Sequence, residues 1–387
     1  MSKSLPKAPK AIVIGGSLGG LFTGSILRQI GWEVDIYERS PHDLDSRGGG
    51  IVLQPEVIEL LKRIGANMAQ NLGVTSRERL VIKPDGSVSK RLVNFQTQTS
   101  WSMIYSTLRA NFGPQHYHQH KKLLNIKQAE KKVIAFFEDG TSDEGDLLIG
   151  ADGARSTVRA LINPGNHPQY AGYIAWRGLV EEREVPKESL QLLERFSFAS
   201  NQGSHMLGYL VPGDHNTTQQ GQRYYNWVWY RTADEQKQLA QIMTDKDGKA
   251  RGYSIPPGKL ADQWREHLYQ EADVLLPPQF KKMVQATTEP FAQAILDLVS
   301  QHMVNKRIIL VGDAAFIPRP HTAASTSKAA ANALALGECL TNAKTPDEID
   351  QALAAWEPAQ IKLGHYLHQQ GTETGNYFLF HAFNTSS

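Results

Sequence analysis

The sequence predicts an α/β protein in which an antiparallel sheet is inserted into a mainly parallel one. Three observations support this fold class. An apolar run at residues 11–14 leads into a cluster of glycines and then into an amphipathic stretch at residues 21–30. Apolar segments that run into small residues return at residues 147–153 and 308–315. Between them, residues 170–230 hold aromatic segments with the pattern of antiparallel strands.

The first segment has the order strand, glycine-rich turn, helix, strand and acid that is typical of a Rossmann-like dinucleotide-binding unit. Gly15 allows the tight turn, and Gly20 lets the helix approach the sheet. The helix N-terminus offers free N–H groups to a pyrophosphate. Glu38 ends the second strand, where an acid accepts hydrogen bonds from ribose hydroxyls. Ser17 replaces the middle glycine, and its hydroxyl is placed to donate to a phosphate.

Composition excludes several other classes of protein. The 387 residues suffice for two domains, and 41 Lys and Arg against 39 Asp and Glu give no basic excess for nucleic acid. Residues 11–27 are uncharged but too short and too rich in glycine for a membrane span, and the lysines before them do not form a signal peptide. Cys339 alone cannot make an internal disulfide or a zinc site. We therefore expect a cytoplasmic protein that binds neither membrane nor nucleic acid. Tyr117, His118 and His120 lack a carboxylate at matching spacing, so we expect no metal site.

The order of the segments predicts two domains, of which one is discontinuous. Residues 1–77, 101–165 and 285–387 form the dinucleotide-binding domain, and residues 78–100 and 166–284 form a substrate-binding β-sheet domain. Residues 47–53, with three glycines before an apolar strand, predict a backbone that passes close to a flat ligand; a flexible loop is the alternative. A ligand site is expected between the domains.

Three motifs stand in order along the chain. They are the glycine-rich turn at residue 15, Gly-Ala-Asp-Gly at 150–153 with the following arginines at 155 and 159, and Gly-Asp-Ala-Ala at 312–315. This set resembles the single-component FAD-dependent aromatic hydroxylases, or group A flavoprotein monooxygenases, over nearly the whole chain. The runs at residues 15–20, 51–56, 171–178 and 312–324 resemble the branch of this family that hydroxylates dihydroxypyridines.

The resemblance implies a cofactor, two co-substrates and a reaction. FAD would be reduced by NADH or NADPH, and O2 would add at the flavin C4a carbon. The resulting hydroperoxide would hydroxylate a small, electron-rich aromatic or N-heteroaromatic ring. The single dinucleotide motif agrees with transient use of NAD(P)H. A homodimer is a possible assembly at the level of the family.

The resemblance also assigns candidate residues. The cofactor-binding candidates are Gly15, Ser17, Gly19, Gly20, Glu38, Arg39, Gly50, Asp152, Gly312, Asp313, Pro320, Ala324 and Ser325. Asp152 would lie near the pyrophosphate and the approach of NAD(P)H, and Asp313 near the ribityl or phosphate groups. The segment from residue 320 to 327 would face the isoalloxazine ring, and the helix after it would stabilise negative charge on the reduced flavin.

Three residues are candidates for catalysis. Arg177 would pair with an anionic substrate or the flavin edge, with a surface ion pair as the alternative. His205 would deprotonate a ring hydroxyl, although a partly exposed strand histidine is the favoured interpretation. His321 stands in the segment expected to face the ring. Trp176, Tyr224 and Trp227 are candidates for the substrate pocket, although core packing is the favoured interpretation of Tyr224 and Trp227.

Two departures from the family pattern leave other functions open. Tyr105-Ser106 stands where many relatives have an arginine, and Ser-Thr-Ser-Lys at 325–328 replaces Gly-x-Gly-x-Asn. These changes, with Ser17, would suit a non-catalytic protein that keeps the fold. A flavin-dependent oxidase or dehydrogenase is a further alternative. A related halogenase is disfavoured, because the Trp-x-Trp at residues 227–229 is followed by Tyr-Arg and not by Ile-Pro.

Overall fold

The computed structural model describes residues 8–44, 49–66 and 72–381. Part of the predicted glycine-rich loop, Arg47 and Gly48, lies outside these ranges. The strands, in chain order, are β1 (Lys10–Ile14), β2 (Glu33–Tyr37), β3 (Gly50–Val52), β4 (Val74–Ile82), β5 (Val88–Ser100), β6 (Tyr117–His118), β7 (Leu123–Gln128), β8 (Val133–Phe137), β9 (Ser142–Gly145), β10 (Leu147–Gly150), β11 (Gln169–Glu181), β12 (Arg195–Asn201), β13 (Ser204–Val211), β14 (Tyr224–Thr232), β15 (Ser254–Ile255), β16 (Phe291–Asp297), β17 (Val304–Asn305) and β18 (Ile308–Leu310).

The α-helices are mostly amphipathic segments that cover these strands. In chain order they are α1 (Leu18–Gln29), α2 (Pro55–Arg63), α3 (Trp101–Phe112), α4 (Thr157–Ile162), α5 (Ala240–Ile242), α6 (Asp262–Leu275), α7 (Pro278–Gln285), α8 (Ser325–Leu340) and α9 (Pro346–Phe380). Helix α9 has 35 residues and is the last of these elements. Its start is fixed by a capping box between Thr345 and Glu348. None of the helices described is both long and apolar enough to cross a membrane.

The parallel sheet has the order β17-β18-β10-β1-β2-β6. Strand β1 pairs in parallel with β2 on one side and with β10 on the other, and β10 pairs in parallel with β18. Every residue of β10 and β18 is buried. These strands are continuously apolar because protein covers both faces of the sheet. The α/β fold class and the parallel strands predicted from the three apolar segments are confirmed.

The larger sheet has nine strands in the order β15-β16-β11-β14-β13-β12-β4-β5-β3 and is antiparallel except between β12 and β4. The strands that make up this sheet differ from those that the expected domain boundaries assign to it. Strands β3 and β16 and the first residues of β4 belong to this sheet, whereas the sequence had assigned residues 1–77 and 285–387 to the other domain. Short strands carry no local signal of which sheet they join, because the pairing partner is distant in sequence. A third sheet, β7-β8-β9, packs beside the parallel one.

The two faces of the nine-stranded sheet have different neighbours. On one face, Ile174, Trp176, Trp227 and Trp229 belong to a core that includes residues of α6 and α7. The other face, which carries alternate residues of β11 and β14, looks toward the parallel sheet. The site described below lies on this second face.

Candidate active site

A cavity of about 690 Å³ lies where the carboxyl ends of the parallel strands meet the nine-stranded sheet. Residues that follow β1, β2, β10 and β18 line one side of it, and residues of β11, β13, β14 and β16 line the other. The crevice at the carboxyl ends of parallel strands is the usual ligand site of such sheets. Its volume is within the range for cofactor and small-molecule sites.

Two glycines at the turn after β1 have no room for a side chain. Gly15 has a φ of +104°, and a Cβ on it would lie 2.5 Å from the carbonyl oxygen of Ala151. A Cβ on Gly20 would overlap the carbonyl oxygen of Gly15. Both glycines therefore hold the backbone of the turn against its neighbours, as the motif predicts.

The N-terminus of α1 faces the cavity. Ser17 is the N-cap residue, but its hydroxyl makes no capping bond, and the first turn holds no acid. Ser17, Leu18 and Gly19 all line the cavity. The free N–H groups and the positive end of the helix dipole thus form an anion site.

Glu38 stands at the end of β2 and is tied to the turn. Its Oε2 accepts from the N–H of Gly16 at 2.8 Å, and its Oε1 accepts from the N–H of Ser40 at 2.8 Å. Each carboxylate oxygen has a second lone pair, so Glu38 can still accept from a ribose hydroxyl. Arg39 is exposed beside it, and both residues line the cavity.

Asp152 lines the cavity and also holds the turn after β10. Its carboxylate accepts from Ser156 Oγ at 2.5 Å and from the N–H groups of Thr157 and Val158 at 2.6 and 3.2 Å. It therefore caps α4, the helix that follows. Burial raises the pKa of Asp152, and these hydrogen bonds act in the opposite direction.

The Gly-Asp segment after β18 forms the next part of the wall. Gly312 has a φ of +60°, and its N–H donates to Asn332 Oδ1 at 3.1 Å. Asp313 Oδ1 accepts from Ser325 Oγ and from Lys328 Nζ, each at 3.0 Å. This segment thus faces the cavity with a carboxylate and is fixed from behind by α8.

The loop before α8 completes the wall with small residues. Pro318, Pro320, Ala323, Ala324 and Ser325 line the cavity. Together, the free helix N-terminus, the acid after β2 and this loop fit FAD. The first matches its pyrophosphate, the second its ribose and the third a flat ring. The candidate cofactor-binding residues line this part of the cavity, except Gly20, which packs behind it.

Arg177 is the cation at the other end of the cavity. Its Nη1 lies 3.4 Å from Gln293 Oε1, its Cζ lies 5.7 Å from the ring centroid of Phe291, and its Nε is buried without a partner. A side chain on Gly49 would overlap the guanidinium, so the backbone there packs directly on Arg177. An incompletely paired guanidinium in a cavity is a group suited to bind an anion.

Two tyrosines share this end with Arg177. Burial raises the pKa of Tyr209 to about 12 and also raises the pKa of Tyr230, while the charge of Arg177 acts in the opposite direction. Both hydroxyls therefore keep their protons at neutral pH and can donate hydrogen bonds. Phe196, Leu207 and Val228 line the same region with apolar surface.

The structure corrects the expected substrate pocket. Trp176 and Trp227 lie on the opposite face of the sheet in the core, and Trp227 Nε1 donates to Thr287 Oγ1 at 2.8 Å. Tyr224 lies outside the cavity, where its hydroxyl donates to Asp214 Oδ2 at 3.0 Å. The tryptophans were placed wrongly because alternation defines two faces but not which face meets the ligand.

The two histidines lie behind the cavity wall and do not line it. His205 is 4% exposed, its Nδ1 lies 2.8 Å from Ser200 Oγ, and its ring stacks on Phe378 of α9 with 3.9 Å between centroids. His321 Nε2 lies 3.0 Å from the hydroxyl of Tyr173.

Burial makes both histidines poor bases. It lowers the pKa of His205 to about 4. Burial, with smaller contributions from His205 and Arg319, lowers the pKa of His321 to about 3. The geometry therefore supports a positioning role for them rather than proton abstraction from a ligand.

Sequence reasoning missed several residues that line the cavity, namely Trp101, Phe196, Tyr209, Tyr230 and Gln293. The available signal was the alternation along β14, which puts Val228 and Tyr230 on one face once Trp227 is assigned to the core. Ser106 stands where many relatives have an arginine, and its Oγ accepts from Asn216 Nδ2 at 3.0 Å.

Comparison with known proteins agrees with this geometry. A family model described as FAD binding domain-like matches residues 170–297. The 2,6-dihydroxypyridine 3-monooxygenase of Paenarthrobacter nicotinovorans is 33% identical over 369 residues, which cover 94% of this chain and 90% of that protein. The 6-hydroxynicotinate 3-monooxygenase of Pseudomonas fluorescens is 25% identical over 87% of this chain and 83% of its own.

Solved structures give the same result. The 2,6-dihydroxypyridine-3-hydroxylase from Arthrobacter nicotinovorans matches with a TM-score of 0.90 and 31% identity over 98% of this chain and 95% of that one. Klebsiella pneumoniae HpxO, solved with FAD and uric acid, shares the fold, with a TM-score of 0.77 and 20% identity over 98% of this chain and 91% of that one. On these grounds the chain belongs to the FAD-dependent aromatic hydroxylases and is a flavoprotein monooxygenase that uses NAD(P)H as co-substrate.

Proposed function

We propose that this enzyme hydroxylates a small N-heteroaromatic ring that carries ring hydroxyls, with dihydroxypyridines as the first class to test. The observation that carries this proposal is the cluster of Arg177, Tyr209 and Tyr230 within an otherwise largely apolar end of the cavity. The names of the two pyridine-hydroxylating relatives support the same class of ring.

The cluster favours the anionic form of a hydroxylated ring. The guanidinium of Arg177 in the cavity wall stabilises a ring oxyanion, and two protonated tyrosines supply further donors. A ring held as its anion is richer in electrons at its carbons. Arg177 therefore binds the substrate and activates it as a nucleophile.

The apolar walls have a second role. Phe196, Leu207, Val228 and Ile295 surround the ring position and exclude water. FAD, when bound, supplies the reducing step and the transfer of one oxygen atom from O2 to the ring. The protein holds the ring, keeps it ionised and keeps the cavity dry.

The residues that line the cofactor part of the cavity are proposed to hold FAD. Gly15, Ser17 and Gly19 would hold the pyrophosphate, Glu38 would hold the ribose, and the Pro320 to Ser325 segment would hold the flavin ring. Asp152 acts through α4, which it caps. His205 and His321 support the wall from behind.

The test measures NADH and NADPH oxidation by the FAD-loaded enzyme with 2,6-dihydroxypyridine, 6-hydroxynicotinate and a simple phenol. We expect the pyridine substrates to accelerate oxidation and to gain one oxygen atom from ¹⁸O2, detected by mass spectrometry. Turnover without ¹⁸O in the product would indicate an oxidase or dehydrogenase. Hydroxylation of the phenol alone would contradict the proposed ring class.

We also propose a cytoplasmic location and a homodimer. The single cysteine, Cys339, supports a reducing compartment, and the dimer is an expectation from the family. Cell fractionation and sedimentation velocity test the two statements separately.

A further inference from the structure

Lys328 is a buried lysine directly behind the cofactor wall. Burial lowers the pKa of its amine, and the charge of Asp313 and its hydrogen bond act in the opposite direction. It lies in the first turn of α8 and its side chain is 1% exposed. Its Nζ donates to Asp313 Oδ1 at 3.0 Å and to the carbonyl oxygen of Phe316. The proposed substrate chemistry makes no use of this charge.

Asp313 is the matching anion on the cavity side. Its side chain is 40% exposed and lines the cavity, and its Oδ1 also accepts from Ser325 Oγ at 3.0 Å. Without a partner, this carboxylate would repel the pyrophosphate of FAD, which carries negative charge into the same cavity. Lys328 is the cation that the structure pairs with it.

The backbone of this wall has a separate anchor. The N–H of Gly312 donates to Asn332 Oδ1, and Asn332 Nδ2 donates to Gln360 Oε1 at 2.9 Å. Asn332 lies one turn beyond Lys328 on α8. Asn332 thus anchors Gly312 without Lys328, whose own contacts are with Asp313 and the Phe316 carbonyl.

We propose that Lys328 neutralises Asp313 and thereby allows the wall to accept the anionic dinucleotide. The proposal depends on FAD binding but not on the identity of the aromatic substrate. Its failure would leave the proposed ring chemistry untouched.

The experiment is a double-mutant cycle on FAD affinity. Apoproteins of the wild type, Lys328→Gln, Asp313→Asn and the double variant are titrated with FAD by flavin fluorescence at low and high salt. Thermal melting of each apoprotein reports folding separately. Lys362→Gln, at an exposed lysine on α9, is the control for loss of one positive charge.

We expect Lys328→Gln to weaken FAD binding by about tenfold or more at low salt, because the Asp313 charge is then uncompensated. The double variant is expected to regain most of this loss, since neither charge remains. The Lys362→Gln control is expected to bind FAD as the wild type does. Recovery in the double variant is the result that a purely structural role of Lys328 would not produce.

Wild-type FAD affinity in Lys328→Gln would overturn the proposal. So would a double variant as weak as Lys328→Gln, which would assign the effect to the lost contact with the Phe316 carbonyl. If Lys328→Gln fails to melt cooperatively, Asp313→Asn decides. In that variant the charge of Lys328 is unpaired, so FAD binding should weaken more steeply with added salt than in the wild type. An unchanged salt dependence would refute charge neutralisation.

Discussion

Arg177 and Gln293 meet across neighbouring strands at the substrate end of the cavity, with 3.4 Å between Nη1 and Oε1. Arg177 is on β11 and Gln293 on β16, which pair in antiparallel fashion. The long contact leaves the guanidinium free to make a better bond with an anion. This incompletely paired cation is the basis of the first prediction.

Replacement of Arg177 by Met should raise the KM for the aromatic substrate by roughly ten- to a hundredfold, the cost of one charge-assisted hydrogen bond of about 1.5–3 kcal/mol. FAD binding should not change. Steady-state kinetics and a flavin titration measure the two effects. Arg183→Met, at an exposed arginine with surface ion pairs, is the matched control. An unchanged KM would remove Arg177 from the substrate site.

Trp227 should affect stability and not substrate binding, because it lies in the core behind the sheet. Trp227→Ala should lower the free energy of unfolding by about 3–5 kcal/mol. Trp227→Phe should cost less and should keep the KM of the wild type. Urea unfolding and steady-state kinetics test both variants. A raised KM in Trp227→Phe would restore this residue to the pocket.

Glu38 should matter both to the turn and to FAD. Glu38→Ala leaves the N–H of Gly16 without its acceptor, which should destabilise the apoprotein by about 1–3 kcal/mol. It should also weaken FAD binding, because the ribose loses its carboxylate. Thermal melting and FAD titration report the two effects. Glu33→Ala, at the start of the same strand, serves as control, and equal FAD affinity in both variants would contradict a ribose contact.

His205 should make stability depend on pH. Its pKa of about 4 lies below the ordinary value of 6.5, so the unfolded chain binds a proton that the folded protein does not. The contribution of neutral His205 to the free energy of unfolding is complete above pH 6.5 and is lost as the pH falls toward 4. The loss is roughly 1.4 kcal/mol per pH unit, or about 3 kcal/mol over this window.

Urea unfolding of the wild type and of His205→Asn at pH 8, 6.5 and 5 tests this dependence. The variant should be less stable at pH 8, because it loses the contacts with Ser200 and Phe378. The difference should narrow by roughly 2 kcal/mol at pH 5, since only the wild type is penalised there. If the free energies of unfolding of the wild type and the variant changed in parallel with pH, His205 would not be buried in its neutral form.

The amino-acid sequence by itself determined the dinucleotide-binding half of this protein. Gly15, Gly20 and Glu38 belong to one local strand-turn-helix-strand unit, and the contacts of Gly20 with Gly15 and of Glu38 with Gly16 lie within it. The segments after β10 and β18 could also be predicted from the sequence. The carboxyl ends of neighbouring parallel strands meet at one edge of the sheet and bring the residues that follow them together.

Tertiary structure decided the substrate half. Arg177 and Trp176 are neighbours in one strand, and local pattern shows only that they face opposite sides. Which side met the cavity depended on helices α6 and α7, which cover the tryptophans, and on the distant strands β13 and β16, which bring Tyr209 and Gln293 beside Arg177. Such contacts join residues far apart in the chain, so the packing of whole elements and not the local periodicity determines them.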